Sequence, residues 1–336
     1  MTEKICDGVV KIKAGGFCSY IADGSEGTAL VCACPKEYIN ELLGEILAPP
    51  DYIIFTCSEP LLAGGAGVLT EHFPQSTVVA TGAAIRNLKQ ILNRDVEGRI
   101  AHDGTVIELG TLSLEVIVTP DLFWPDTMML FCPQRSLLFS GRAFSDMTPA
   151  DDYRHYPEFT AQMLERADGL GAEKILPCLG EFSPIAPPGA KAFDAAVFFC
   201  SGTGCTRALA LAAAQGLKDA GVRNCTVDLA DESDEKVREV LYSCDKILIG
   251  SPTVNRGLPG EVWRLLSMID AAASSGREYF AFGSYGWSGE AVTVITSVLK
   301  SLRMESLGEP FRAAFNPTDE DLTKIRRIAS GFFGER

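Results

Sequence analysis

Two rhythms of apolar and polar residues divide the chain. After residue 192, short apolar runs alternate with longer stretches whose apolar residues recur at helical spacing. The runs Ala195 to Cys200, Asn224 to Leu229, Lys246 to Ile249, Tyr279 to Gly283 and Glu309 to Phe315 predict strands. The stretches Arg207 to Ala220, Ser233 to Tyr242, Gly260 to Ala273, Gly289 to Leu302 and Asp319 to Gly331 predict helices. Strict alternation of the two implies a doubly wound α/β sheet of five parallel strands. The earlier half reads differently. Its strands are short, Met128 to Gly141 carries a hairpin signal turning at Pro133-Gln134-Arg135, and helices are expected at Pro35 to Leu47, Ala83 to Leu92 and Tyr156 to Ala167. The segment Ile185-Ala186-Pro187-Pro188-Gly189-Ala190-Lys191 has linker composition, so domains are expected at 1–188 and 192–336.

Chemistry enters where the predicted strands of the second half end. Ser201-Gly202-Thr203-Gly204-Cys205-Thr206 lies between an apolar strand and a helix. Such a turn gathers hydroxyls and backbone N–H groups at the positive end of a helix dipole, an arrangement suited to a phosphate monoester. No lysine follows Gly204, which excludes a Walker A loop. The third glycine of a dinucleotide fingerprint would fall at Arg207, which excludes that motif too. Two further loops leave the same expected edge: Pro252-Thr253-Val254-Asn255-Arg256-Gly257, and Ser284-Tyr285-Gly286-Trp287-Ser288-Gly289. In an open α/β sheet that edge is the ligand crevice. A phosphate cradle with Tyr285 and Trp287 as flat walls describes FMN.

Residues 193–336 resemble a flavodoxin-type domain. The strings Gly250 to Pro259 (GSPTVNRGLP), Phe282 to Val292 (FGSYGWSGEAV) and Phe315 to Leu322 (FNPTDEDL) narrow the resemblance to flavodiiron proteins, also called A-type flavoproteins. The first half then resembles that family's metallo-β-lactamase-like domain, a four-layer αββα sandwich. The resemblance implies that Ser201, Thr203, Thr206 and the N–H groups of Gly204 and Cys205 hold the FMN phosphate. It implies that Thr253 and Asn255 meet the ring edge, and that the chain pairs head to tail as a homodimer.

The same resemblance exposes a gap. In that family a diiron centre is held by an H-x-E-x-D-H loop and by later His, Asp and His residues. Here the loop reads Cys57-Ser58-Glu59-Pro60-Leu61-Leu62, so only Glu59 is a ligand type in its place. Phe123, Arg142 and Leu179 stand at the later positions. Leucine and phenylalanine have no donor atoms, and no metal ligands or catalytic residues are assigned. A rebuilt site from Cys57, Cys178, Glu59 and Asp121 is the alternative to a filled pocket in which Arg142 pairs with Glu59. His72, His102 and His155 fall in polar surroundings and are expected at the surface.

The formal charge is −14, made of −11 over residues 1–191 and −3 over the rest. Nucleic acid and anionic membranes are therefore not expected partners; the acidity serves either solubility or the steering of a basic redox protein, and a redox protein acting as electron donor or acceptor is the expected partner. No apolar run approaches a membrane span, and Met1 to Val9 does not read as a secretion signal, so a cytoplasmic location is expected. Eleven cysteines without a CxxC pair do not read as a disulfide framework, and Cys32-Ala33-Cys34 is expected in a buried strand as free thiols. The expected function is electron transfer through FMN. A flavin-dependent reductase of a small acceptor in the emptied pocket, and an assembly subunit using FMN structurally, are the other readings.

Overall fold

A computed structural model of the chain describes residues 1–120, 124–148, 157–185 and 191–333. The chain divides into two compact units, Met1–Pro188 and Gly189–Arg336.

In the first unit, β1 (Thr2–Cys6), β2 (Val9–Ala14), β3 (Phe17–Asp23), β4 (Thr28–Val31), β5 (Tyr52–Ile54), β6 (Thr77–Thr81) and β7 (Gly98–Ala101) form one sheet in sequential order. Antiparallel hairpins build its first half, and β4 to β7 are parallel. The second sheet has the order β12-β11-β10-β9-β8, from β8 (Val106–Glu108), β9 (Ser113–Val118), β10 (Met128–Cys132), β11 (Leu137–Gly141) and β12 (Lys174–Pro177). Tyr20, Leu30 and Ile53 of the first sheet share one buried core with Val116, Leu130 and Phe139 of the second, so the sheets pack face to face. Tyr20 and Phe139 meet edge to face across that core at 5.3 Å.

Every residue of β10 and β11 is buried, because the second sheet is covered on both faces. Its outer face carries Met129, Phe131 and Leu138, packed against Met163 and Ala167 of the helix Pro157–Gly169. The helix Gly82–Leu92 buries Ala84, Ile85 and Leu88 against the other sheet. This is the αββα sandwich expected from the resemblance.

In the second unit the strand order is β14-β13-β15-β16, from β13 (Phe193–Phe199), β14 (Asn224–Asp228), β15 (Cys244–Pro252) and β16 (Glu278–Tyr285), all parallel. The fifth position is shared by two short strands, β17 (Glu305–Ser306) and β18 (Phe311–Ala314), both paired with β16. One core lies on each face of this sheet. The expected helix from Gly260 to Ala273 is in fact two, Gly260–Ser267 and Ala271–Ser274. Asp270 divides them: its carboxylate accepts the Ala273 N–H at 2.9 Å and starts the second turn.

Candidate functional site

Helix Cys205–Asp219 begins where β13 leaves the sheet, with Gly204 as its N-cap. Gly204 has φ 88°, a left-handed turn in which a side chain would be strained. Among the described residues no side chain caps this helix and no acidic residue sits in its first turn, which leaves its positive dipole end open to an anion. The contrast with its neighbours is informative. Helix Asp319–Ser330 has a full capping box and three acidic residues in its first turn, and helix Asp234–Tyr242 is capped by Ser233 and begins with two. A Cβ on Gly202 or Gly204 would meet nothing within 4 Å, so the loop stands open above both. Ser201 Oγ accepts the Gly204 N–H at 3.1 Å and holds the loop's shape. Thr203 is exposed, with Oγ1 3.3 Å from the Cys205 thiol.

Thr206 is placed differently from Thr203. It is fully buried, and its hydroxyl pairs with Ser284 Oγ at 2.8 Å. It therefore ties the hydroxyl-rich loop to the loop after β16 rather than standing open in the cradle.

The remaining loops converge on the same edge. Thr253 N–H donates to the Ser284 carbonyl at 2.9 Å, and Thr253 Oγ1 accepts the Ala291 N–H at 3.3 Å. Val254 and Gly257 exchange two backbone hydrogen bonds around Asn255 (φ 48°) and Arg256 (φ 57°). Two successive positive φ values make a tight type I′ turn that puts both side chains at an exposed tip. The Ser288 hydroxyl holds the Glu290 carboxyl below its usual range, and the Arg256 charge adds to this. Tyr285 is half-buried, Pro252, Gly286 and Gly289 flank these loops, and Trp287 is 95% exposed. Phe315 and Asn316, absent from the expected site, lie against its loops. Phe315 N–H donates to the Tyr285 carbonyl at 2.7 Å and its ring meets Trp287 edge-on at 6.3 Å, while the Cys205 thiol donates to Asn316 Oδ1 at 3.0 Å. Their signal was the FNPTDEDL string, whose Thr318 caps the next helix.

Residues 197–328 match the flavodoxin family model. The flavo-diiron protein FprA2 of Clostridium acetobutylicum is 27% identical, with 98% of this chain and 94% of that protein covered. A nitric oxide reductase of Moorella thermoacetica is also 27% identical, over 90% of this chain and 88% of its own. Among solved structures, rubredoxin oxygen:oxidoreductase from Desulfovibrio gigas superposes with a TM-score of 0.66 at 20% identity, covering 98% of this chain and 97% of its own. Over nearly its whole length the chain is similar to flavodiiron proteins, with a flavodoxin-like second unit.

A flavodoxin-type domain in a flavodiiron protein binds FMN, and the second unit fits that cofactor. Its one uncapped, acid-free helix start among those compared faces an open glycine cradle, and an exposed indole stands on a loop of the same edge.

The region that corresponds to the flavodiiron metal loops is built otherwise. Glu59 is buried and accepts from Arg142 Nη1 at 2.8 Å, the pairing expected from the sequence. Ser58 donates to Asp126 at 2.5 Å and accepts from Trp124 Nε1 at 2.9 Å and from Asn87 at 3.1 Å. Cys57 is buried, which pushes its thiol up and keeps it protonated. Leu62 and Leu179 are buried and Leu61 is partly exposed. A cavity of about 10 Å³, room for one water, is lined by Thr56, Cys57, Ser140, Gly141 and Arg142 among others. Among the described residues no group of three or more His, Cys, Asp or Glu is placed to hold a metal. Asp121, Phe123 and His155 lie outside the described residues. His72 and His102 are exposed.

One expectation about the cysteines is overturned. Cys32 and Cys178 form a disulfide, so they are not free thiols, and Cys178 is not available to a rebuilt metal site. β4 ends at Val31, and Cys32 turns out of it with φ 62°.

Proposed function

We propose that this chain is an FMN-dependent electron-transfer member of the flavodiiron family whose first unit no longer holds a diiron centre. The observation that carries the second part is the Glu59–Arg142 pair. The one carboxylate retained at its family position is bound to a guanidinium at 2.8 Å, a cation beside the place where a metal's charge would be. The donor set does not fit iron: two leucines and a disulfide sulfur offer neither imidazole nor carboxylate.

FMN supplies two-electron uptake and one-electron release. This chain's residues bind and orient it. Ser201, Gly202, Thr203 and the N–H groups of Gly204 and Cys205 hold the phosphate, while Thr206 braces the loop through Ser284. Pro252 to Gly257 and Ser284 to Gly289 flank the ring, with Tyr285 and Trp287 at its faces. A reductase of a small acceptor in the first unit is less well supported, since the cavity beside Cys57 admits about one water and the Cys57 thiol stays protonated. A soluble redox protein as electron donor or acceptor, a homodimer and a cytoplasmic location complete the proposal; no helix among the described residues is long and apolar enough to cross a membrane.

Metal analysis of iron-supplemented protein, joined to nitric oxide and oxygen consumption by the FMN-reduced form, tests the reading. Substoichiometric iron and consumption no faster than that of free FMN are expected. One or more iron atoms per chain, or rapid turnover of nitric oxide, would refute it. Sedimentation at micromolar concentration tests the dimer, which a monomer would exclude.

A further inference from the structure

The Cys32–Cys178 bond joins two structures that the chain itself does not connect locally. Cys32 is the residue after β4 in one sheet, and Cys178 is the residue after β12 in the other, 146 positions later. Each partner is held by backbone hydrogen bonds. Cys32 N–H donates to the Ile54 carbonyl at 2.9 Å, and Cys178 N–H donates to the Gly141 carbonyl at 2.6 Å, while the Cys178 carbonyl accepts from Cys18 N–H at 3.0 Å. Cys32 Sγ lies 3.1 Å from Thr56 Oγ1, and Thr56 and Gly141 both line the small cavity beside Cys57 and Arg142. The sulfur pair is therefore the layer beneath the loop that carries Ser58 and Glu59.

We propose that Cys32 and Cys178 are a redox site of this protein, a disulfide that clasps the two sheets in its oxidised state and releases the Thr56–Glu59 loop when reduced. The co-reactant is a dithiol. One of its thiolates attacks a sulfur of the pair, the Cys32–Cys178 bond breaks, and the second thiol closes the reagent into its own disulfide. Two electrons and two protons pass to the protein, which ends with two thiols. Both cysteines are fully buried and the adjoining cavity holds about one water, so attack requires local opening of the first unit. Six further cysteines are buried and Cys225 is half-buried, and together with Cys6 and Cys205 they make the nine free ones against which the pair can be counted.

The test uses the full chain purified without reductant and unfolded in iodoacetamide. Intact mass should show nine alkylated cysteines before treatment with dithiothreitol and eleven after it, with a linked peptide pair containing Cys32 and Cys178. Eleven alkylated cysteines before reduction, or a linkage between other residues, would overturn the proposal. A second measurement addresses the clasp. Hydrogen exchange in peptides spanning 28–34, 55–59 and 174–180 should quicken at least tenfold on reduction of the folded protein, with residues 193–333 unchanged. The Cys32→Ala/Cys178→Ala variant should exchange quickly from the start and ignore dithiothreitol. Exchange that is the same before and after verified reduction of the wild-type pair would overturn the switching role, whether or not the variant folds.

Discussion

The two units present the same kind of place, loops at the ends of parallel strands, in opposite states. In the second unit the helix start at Cys205 has no cap and no acidic neighbour, the glycines before it are open, and Trp287 stands free of the surface. In the first, the corresponding loops are closed on themselves. Glu59 is matched by Arg142, Ser58 by Asp126, Asn87 and Trp124, and Cys32 by Cys178. Unanswered polar groups at a strand edge point to a ligand that answers them, whereas internally satisfied ones need none. The difference supports FMN binding at the second unit and motivates the proposal that the first holds no metal.

The largest way to break that contrast is to undo the closure. Arg142→Leu leaves the Glu59 carboxylate buried without its cation and should destabilise the first unit by about 3–5 kcal/mol in urea unfolding. Glu59→Leu with Arg142→Leu should recover most of that loss, because two apolar side chains need no mutual compensation. If the double variant is as unstable as the single one, the pair is not what closes the pocket. FMN affinity should be unaffected in both.

The second prediction opens the other side of the comparison. Thr203→Ala removes an exposed hydroxyl from the cradle, a hydrogen bond to a charged group worth about 1.5–3 kcal/mol, or at least a tenfold weaker FMN dissociation constant. Thr206→Ala should instead act on the fold, since that hydroxyl is buried against Ser284. Fluorescence titration of the apoprotein with FMN and urea unfolding of each variant separate the two. Unchanged FMN affinity in Thr203→Ala would remove the hydroxyl from the phosphate site.

How much of this could be read from the chain depended on the range of the interaction. The strands and helices of the second unit are local events, bounded by their own capping and turn residues, and their expected spans sit within a few residues of β13 to β16. The proposed cradle is local in the same way, since six consecutive residues form the loop between β13 and the next helix. Glu59 and Arg142 are 83 positions apart, yet their pairing was legible because both stood at aligned positions of one pocket and opposite charges there must neutralise. The disulfide was not. Cys32 reads as part of an apolar strand, and only its left-handed backbone turns it toward a residue 146 positions away. The contact of Thr206 with Ser284 was not legible, because spacing within one loop says nothing of a residue 78 positions away. The split after Ser267 was missed because Asp270 looks like one polar residue on a helical face.

A third prediction asks whether buried thiols distinguish the units, and the expected answer is that they do not. Burial pushes Cys34 of the first unit up to about 12, and Cys200 and Cys244 of the second up to about 11. A thiol whose folded pKa is raised stays protonated in the native state while the unfolded chain ionises from about pH 9. Stability is therefore fully present below pH 9 and lost as pH rises toward the folded values. Each of these thiols should cost about 1 kcal/mol by pH 10, with no slope from this source between pH 7 and 8. Urea unfolding at pH 7, 8 and 10 checks both units, and a loss confined to one would show that their cores exclude water unequally.

The smallest effect gives the sharpest comparison, because it separates folding from binding at one residue. Trp287 is 95% exposed and touches little besides Phe315, so Trp287→Ala should leave urea stability within about 0.5 kcal/mol of the parent. An indole standing free in water has no reason within the fold to be there. If it flanks the isoalloxazine ring, its loss should weaken FMN binding by about 0.5–1.5 kcal/mol, a two- to tenfold change, and alter the flavin absorption band. Trp124, the only tryptophan of the first unit, gives the opposite result. Its indole N–H is spent on Ser58, so Trp124→Phe should destabilise the first unit by about 1 kcal/mol and leave FMN affinity untouched. Should Trp287→Ala instead alter stability and spare FMN, the indole would belong to the fold and the open edge would lose its aromatic wall.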